Sequence, residues 1–212
     1  QIQGVHHVVH TAPFIEEKAL IKSKASQNGI LVRGIDPVQA DSVLDIRKSI
    51  IYGQMDFKNA PVSDGKLRPG VIIGFELSKR LQVVVGDEIS LISLAGYRKY
   101  GDIPRIRTFR VAGYFETGLF EFDDRVVYIS LESAQDLFER GDRVDGLWVK
   151  ADRYEHANRV ATQIQNKIGY PYQVVSWREM NPNLFAWMQI EKWAAFIVLC
   201  LIILVAAFNI VS

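Results

Sequence analysis

The sequence predicts an α+β fold, in which an α/β lobe is interrupted by an inserted β-rich lobe and followed by a transmembrane helix. Three patterns predict it. Apolar residues recur at helical spacing over 157–168 and alternate as in strands over 106–115, and residues 193–212 carry no charge. A helix of about twenty residues rises about 30 Å, the thickness of a hydrocarbon core. The uncharged segment therefore predicts a membrane span.

The composition is that of a folded protein with no dominant charge. Of 212 residues, 49% are apolar, and 25 Lys and Arg against 24 Asp and Glu leave a net charge of +1. This balance argues against a nucleic-acid partner, and the apolar content excludes a disordered chain. The single cysteine, Cys200, lies in the uncharged segment, so we expect no disulfide within the chain. We interpret the sequence as part of a larger membrane protein.

Short strands and one helix are predicted for the beginning of the chain. Residues 5–9 form one strand, Pro13 interrupts the chain before a second, and a third begins after the turn signal at 28–29. A helix follows in which Asp36 caps the first turn and Gly53 marks the end.

The middle and the end of the chain alternate between strand and helix patterns. Further strands are predicted at 71–73, 89–94, 106–115, 126–129, 147–149 and 172–177. Helices are predicted around 77–81, after Ser130 and over 157–168. We therefore divide the chain into an α/β lobe at 1–81 and 143–181, a β-rich lobe at 82–142, and an interfacial helix with a transmembrane span at 182–212.

Motifs for catalysis and for cofactors are missing from the sequence. Glycine pairs with the spacing of a phosphate-binding loop are never followed by Lys, and no dinucleotide fingerprint or nucleophile elbow occurs. The acidic run at 116–124 lacks the spacing of a calcium loop and is interpreted as a polar loop between strands. We therefore expect neither an enzyme nor a cofactor.

Three histidines near the start of the chain invite a metal hypothesis. On a strand, His6 and His10 share a face but lie about 13 Å apart, too far to bind one ion. His156 is expected on a solvated helix face. We therefore predict no metal site.

The segment 96–105, here called the 96–105 loop, has the composition of a binding surface. Exposed tyrosines and arginines are typical of interfaces, although a solvated hairpin tip has similar residues. The candidate contact residues are Tyr97, Arg98, Lys99, Tyr100, Ile103, Pro104 and Arg105.

A second candidate surface lies just before the membrane span. Leu184, Phe185 and Met188 share one side of the predicted helix, and we call them the 184–188 face. Trp187, Trp193 and the charges at 191–192 are typical of a belt that holds a helix at the headgroup level. The flexible Met and Phe side chains also suit contact with acyl chains.

Two groups of short motifs carry a resemblance to a known family. The C-terminal group comprises 176–181, 183–185, 191–192 and 204–212. The upstream group comprises 32–37, 73–74, 85–87, 103–105, 109–115 and 127–130. In this order the motifs resemble permeases of the lipoprotein-releasing ABC transporter, of the LolC/LolE type with a MacB-like periplasmic domain. The resemblance spans about residues 30 to 212.

The resemblance implies a membrane protein of the bacterial inner membrane whose soluble domain lies in the periplasm. Its implied partners are a cytoplasmic ATPase subunit, a second permease subunit of the same or a homologous kind, a lipoprotein substrate and a periplasmic lipoprotein carrier. In one member of such a pair, a protruding loop binds the carrier, and the 96–105 loop is similar to that region. The 184–188 face would then contact lipid.

Two other functions remain open from the sequence. Another MacB-like permease, acting in efflux or in the regulation of cell-wall hydrolases, would have the same soluble fold. A membrane-anchored periplasmic sensor is the second alternative, because one span after a folded domain also suits a sensor.

Overall fold

The computed structural model describes residues 4–62, 65–94, 104–180 and 182–211. The chain forms two compact units. Residues 9–150 form the first, which we call the barrel unit, and residues 1–8 with 151–212 form the second, which we call the membrane unit.

The barrel unit is built on one large sheet and a two-stranded ribbon. Its longer strands are β1 (Val8–Lys22), β2 (Gln27–Ile35), β3 (Ile50–Gly53), β6 (Gly70–Gly74), β7 (Glu88–Ser93), β8 (Ile106–Phe115), β9 (Val126–Ser130) and β10 (Gly146–Ala151). The ribbon pairs β4 (Ala60–Pro61) with β5 (Leu67–Arg68). Strands β2 and β9 are parallel, as are β6 and β8.

Six strands close into a ring. The order β1-β2-β9-β6-β8 is completed by β7, which pairs antiparallel with both β8 and β1. Ile21 of β1 lies opposite Leu91 of β7, and Ile89 of β7 lies opposite Phe109 of β8. All four side chains are buried in one hydrophobic cluster. The alternating pattern of β7 thus places one side of the strand in the core of the barrel.

Seven helices belong to the described residues. They are α1 (Pro37–Leu44), α2 (Phe75–Leu81), α3 (Phe120–Arg125), α4 (Leu131–Leu137), α5 (Ala157–Ile168), α6 (Trp177–Met180) and α7 (Pro182–Val211). Leu77 of α2 and Leu137 of α4 join the barrel core. Ser130 caps α4 as predicted, because its hydroxyl accepts a hydrogen bond from the Ser133 amide.

The mixed α and β content and the C-terminal apolar helix are confirmed, whereas the units differ from the sequence-based partition. Strands β7, β8 and β9 lie within the predicted insertion at 82–142, yet they pair with β1, β2 and β6 outside it. The unit boundaries fall at 8/9 and 150/151. Periodicity predicts where strands lie but not which strands pair, so it could not reveal the closed ring.

Helix α1 depends on the predicted cap. One carboxylate oxygen of Asp36 accepts hydrogen bonds from the amides of Val38 at 2.9 Å and Gln39 at 3.0 Å. We expect Asp36→Ala to lower the free energy of unfolding by about 1 kcal/mol, and Asp36→Ser to lower it by a few tenths. Thermal unfolding of the full chain in detergent measures both. Equal stability of the alanine and serine variants would contradict the capping role.

Candidate functional site

The 96–105 loop leaves the barrel at the end of a β-hairpin. Strands β7 and β8 pair up to Ile92 opposite Ile106, and the Ser93 amide donates to the Arg105 carbonyl at 2.9 Å. Pro104 and Arg105 are described, whereas Tyr97, Arg98, Lys99, Tyr100 and Ile103 lie outside the described residues. The structure therefore fixes where the loop starts and ends.

Two arginines tie the base of this hairpin to the end of α4. Arg105 Nε lies 2.7 Å from Glu139 Oε1, and Arg105 Nη1 donates to the Asp136 carbonyl at 3.2 Å. Arg107 Nη1 lies 2.7 Å from Asp136 Oδ2. Arg105, Asp136 and Glu139 are largely solvent-exposed and Arg107 is half-buried, so the network adds little stability, but it partly neutralises the charge of Arg105.

Apolar side chains border the same ion pairs. Ile106 is 64% exposed at the start of β8, and Leu94 is exposed just after the end of β7. A shallow, open depression here is lined by Arg105, Ile106, Arg107, Asp136 and Leu137. The hairpin base thus presents apolar and charged groups side by side, a combination found at the rims of protein interfaces.

The residues before the membrane helix form a short, well-capped turn. The Ser176 amide donates to the Glu179 carboxylate at 3.0 Å, and the Glu179 amide donates to the Ser176 hydroxyl at 3.3 Å. This reciprocal arrangement is a capping box, and it begins α6. The predicted strand at 172–177 is therefore wrong, because these residues lead into a helix.

The capped helix places two side chains against Phe185. The Trp177 ring meets the Phe185 ring edge-on with centroids 5.4 Å apart, and the Arg178 guanidinium lies 5.2 Å from the Phe185 centroid. Such aromatic and cation–π contacts each contribute about 1 kcal/mol. Phe185 is half-buried by these neighbours within its own chain.

Helix α7 carries the apolar span. Its segment Phe185–Ala207 has a mean hydropathy of 2.3 over its most apolar window, and this window is exposed throughout. By length and composition the helix could cross a membrane. Met188 is 55% exposed near its start, whereas the side chain of Leu184 lies outside the described residues. The structure therefore describes the side chains of Phe185 and Met188 on the 184–188 face.

The histidines of the chain are arranged differently from the sequence-based interpretation. His7 Nδ1 lies 2.8 Å from Asp152 Oδ2, and His156 Nδ1 lies 2.8 Å from Asp152 Oδ1. Both hydrogen bonds stabilise the charged carboxylate and lower the pKa of Asp152 below its usual range, and the bond from His156 has the larger effect. His156 is half-buried in a 3-10 turn before α5, so its expected place on a solvated helix face is wrong.

The acidic segment is built into the barrel unit rather than into a simple loop. Asp123 lies in α3 and accepts hydrogen bonds from the Thr117 and Gly118 amides and the Thr117 hydroxyl. Asp124 is paired with Arg80 at 3.0 Å. Both carboxylates are buried and satisfied by their own chain, which is the pattern of structural residues.

Comparison with known protein families identifies the family to which the barrel unit belongs. The model of the MacB-like periplasmic core domain matches residues 1–167. The chain belongs to this family. The match covers the whole barrel unit, including the hairpin that carries the 96–105 loop.

Curated relatives extend the similarity of this MacB-like chain into the membrane helix. The "Lipoprotein-releasing system transmembrane protein LolC" of Xylella fastidiosa (strain 9a5c) is 34% identical over 209 residues, which cover 97% of this chain and 48% of the relative. The protein of the same name from Neisseria meningitidis serogroup B is 30% identical over 210 residues, with the same two coverages. The chain thus spans about half the length of the curated relatives it matches.

A solved structure supports the fold of the MacB-like chain. The extracellular domain of the noncanonic ABC-type transporter YknZ from Gram-positive bacteria aligns with a TM-score of 0.53 and 15% identity. The alignment covers 82% of this chain and 85% of that one. At this identity the likeness concerns the fold alone.

Proposed function

We propose that this MacB-like chain is the periplasmic domain and the following span of a permease subunit that extracts lipoproteins from the bacterial inner membrane and passes them to a periplasmic carrier. The observation that carries the proposal is the similarity to proteins named LolC, which extends over 97% of the chain. It includes both the hairpin and the apolar helix α7. On the same ground we propose that the barrel unit lies in the periplasm.

Extraction needs energy and an apolar path. Removing an acyl chain from a membrane costs about 0.8 kcal/mol per CH₂, so several chains cost tens of kcal/mol. We assign the energy source to a separate cytoplasmic ATPase subunit, because the relatives are named as the transmembrane protein of a lipoprotein-releasing system. A second permease subunit would enclose the path together with this one.

In this proposal the 184–188 face lines the entry of the path. Met188 is exposed on α7, and Phe185 is backed by Trp177 and Arg178, which hold its ring in place. Adaptable apolar side chains at this level suit a ligand with irregular acyl chains. Leu184 belongs to the same face by its position in the helix.

The 96–105 loop is proposed as the contact for the carrier. Tyr97, Tyr100 and Ile103 would supply apolar contacts, and Arg98 and Lys99 the charge that steers the carrier. Arg105 is a candidate contact too, but its ion pairs with Asp136 and Glu139 favour a role in holding the hairpin base. Pro104 would fix the direction in which the loop returns to β8.

Carrier binding tests this assignment. We expect a variant with Tyr97, Tyr100 and Ile103 all replaced by Ala to bind the periplasmic carrier at least about tenfold more weakly, because interface aromatics often contribute more than 1 kcal/mol each. The thermal unfolding temperature should stay the same. Val38→Ser removes an apolar side chain that is 76% exposed on α1, so it serves as the matched control.

A pull-down with the carrier as bait measures this binding, and two results are informative. Reduced capture by the loop variant with normal capture by the Val38 variant supports the loop as the carrier contact. Equal capture by the wild-type chain and both variants would show that the carrier binds elsewhere. Lipoprotein release would then have to be tested independently of the loop.

A further inference from the structure

The membrane unit brings together three side chains that are suited to a metal ion. His7, Asp152 and His156 each offer a ligand atom, and these atoms all lie within 4.8 Å of one another. Asp152 bridges the two imidazoles, with each Nδ1 at 2.8 Å from one of its carboxylate oxygens. The two imidazole rings have centroids 4.0 Å apart. The cluster therefore converges on one point from two distant parts of the sequence.

Backbone contacts hold the three residues in this arrangement. The Asp152 amide donates to the His7 carbonyl at 3.0 Å, which ties the start of the chain to the segment after β10. The Arg153 amide donates to Asp152 Oδ1 at 2.7 Å, and the His156 amide donates to the Arg153 carbonyl at 3.1 Å. His7 has a φ of 72°, a left-handed conformation that is uncommon outside glycine. The backbone thus presents the side chains before any ligand binds.

The donor set indicates which ion would bind. We propose that His7, Asp152 and His156 form a Zn²⁺ site. Two imidazole nitrogens and one carboxylate oxygen are ligands that zinc prefers, whereas Mg²⁺ and Ca²⁺ prefer oxygen alone. Three protein ligands leave the fourth tetrahedral position for water.

Only a small movement separates the present geometry from coordination. Bonds of about 2.0–2.1 Å in a tetrahedron place neighbouring ligand atoms about 3.3 Å apart. Each histidine nitrogen now lies 2.8 Å from a different oxygen of Asp152, so these distances must lengthen by about half an ångström and the ligand atoms must turn toward one shared point. The three side chains are 21%, 39% and 26% exposed, which leaves room for them to rotate.

Zinc would link parts of the chain that are far apart in sequence. His7 and Asp152 are separated by 145 positions in the sequence, and His156 directly precedes helix α5. Because an ion that binds only the folded state stabilises it, zinc would strengthen the attachment of residues 4–8 to the rest of the membrane unit. The ion would therefore stabilise the fold of this unit, and its fourth position would stay open to solvent.

Zinc titration of the full chain in detergent tests the site. We expect one Zn²⁺ per chain by calorimetry, a visible absorption spectrum of tetrahedral Co²⁺ on substitution, and a higher unfolding temperature with Zn²⁺ than with EDTA. Mg²⁺ should cause none of these changes. His7→Ala and His156→Asn should each weaken zinc binding at least about tenfold.

Matched variants keep the test decisive. His156→Asn retains a side-chain donor for Asp152, so its unfolding temperature in EDTA should equal that of the wild-type chain. His10→Ala removes an exposed histidine from β1 and should leave zinc affinity unchanged. Sub-stoichiometric binding by the wild-type chain, or equal zinc affinity of the wild-type and His156→Asn chains, would overturn the proposal.

Discussion

Replacing Met188 with Asp is expected to reduce ATP-dependent lipoprotein release at least about tenfold. Met188 is exposed on α7 beside Phe185, where the proposal places the entering acyl chains. A carboxylate there would cost on the order of a few kcal/mol of lipid contact, because charge is poorly tolerated in an apolar environment. Release is measured as lipoprotein transferred from proteoliposomes to the soluble carrier.

A matched variant tests whether the effect is specific to the 184–188 face or common to all sides of α7. Ile190 is 59% exposed on α7 and lies about 200° around the helix from Met188. Ile190→Asp places the same charge near the same depth, and it should leave most of the release activity. Membrane insertion and assembly with the ATPase subunit should be normal in both variants. Equal loss of release in the two variants would show that α7 acts here only as an interfacial anchor.

Replacing Asp123 with Ala is expected to lower the free energy of unfolding of the barrel unit by about 3 kcal/mol. The Asp123 residue is only 3% exposed, and its carboxylate accepts bonds from the Thr117 amide at 2.9 Å, the Thr117 hydroxyl at 2.8 Å and the Gly118 amide at 3.1 Å. Thr117 and Gly118 are exposed, so water can satisfy part of what their donors lose, and a loss of about 1 kcal/mol for each of the three hydrogen bonds gives the expected total.

The control for Asp123 lies two positions away. Glu121 is an exposed acidic residue of the same helix α3, and Glu121→Ala should change stability by less than about 0.5 kcal/mol. Thermal unfolding followed by the fluorescence of the tryptophans reports on both variants. If Asp123→Ala were as stable as Glu121→Ala, the hydrogen bonds of the Asp123 carboxylate would not support the turn between β8 and α3.

Sequence reasoning succeeded where local signals were strong. The predicted strand 106–115 has the bounds of β8, and the predicted strand 71–73 lies inside β6. Asp36 and Ser130 cap helices as predicted, because capping depends on a few neighbouring residues. Such features need no information about distant parts of the chain.

Turn signals near the start of the chain were misleading. Strand β1 continues through Pro13, because its pairing with β2 begins only at Phe14, so the missing amide of Pro13 costs no bond with β2. The predicted turn at 28–29 lies inside β2, and the chain instead turns over 23–26. There the Ser23 hydroxyl accepts hydrogen bonds from the amides of Ala25 and Ser26, a weaker signal in sequence than Asn-Gly.

Helix α1 ends earlier than its apolar spacing predicts. It stops at Leu44, and Asp45 has a left-handed conformation with φ of 52°. Ile50, which lies inside the helix predicted to end at Gly53, pairs in β3 opposite Phe115 of β8. Tertiary pairing with a neighbouring strand thus overrides a local helical pattern.

The candidate sites also differ in whether local sequence patterns predict them. The hairpin that carries the 96–105 loop and the apolar helix could be predicted, because both follow from local patterns. The capping box at Ser176 and Glu179 was missed although its S-x-x-E spacing is visible in the sequence. The approach of His7 to Asp152 depends on the fold, so no local pattern could reveal it.

Reconstituted transport tests the central claim most directly. The full-length protein is assembled with its ATPase subunit and second permease in proteoliposomes that contain a triacylated lipoprotein. Our account predicts that lipoprotein appears in complex with the soluble carrier when ATP is added, and that it stays in the membrane without ATP. ATP hydrolysis by the assembled transporter with no transfer of lipoprotein to the carrier would contradict the account and favour another role for this MacB-like permease.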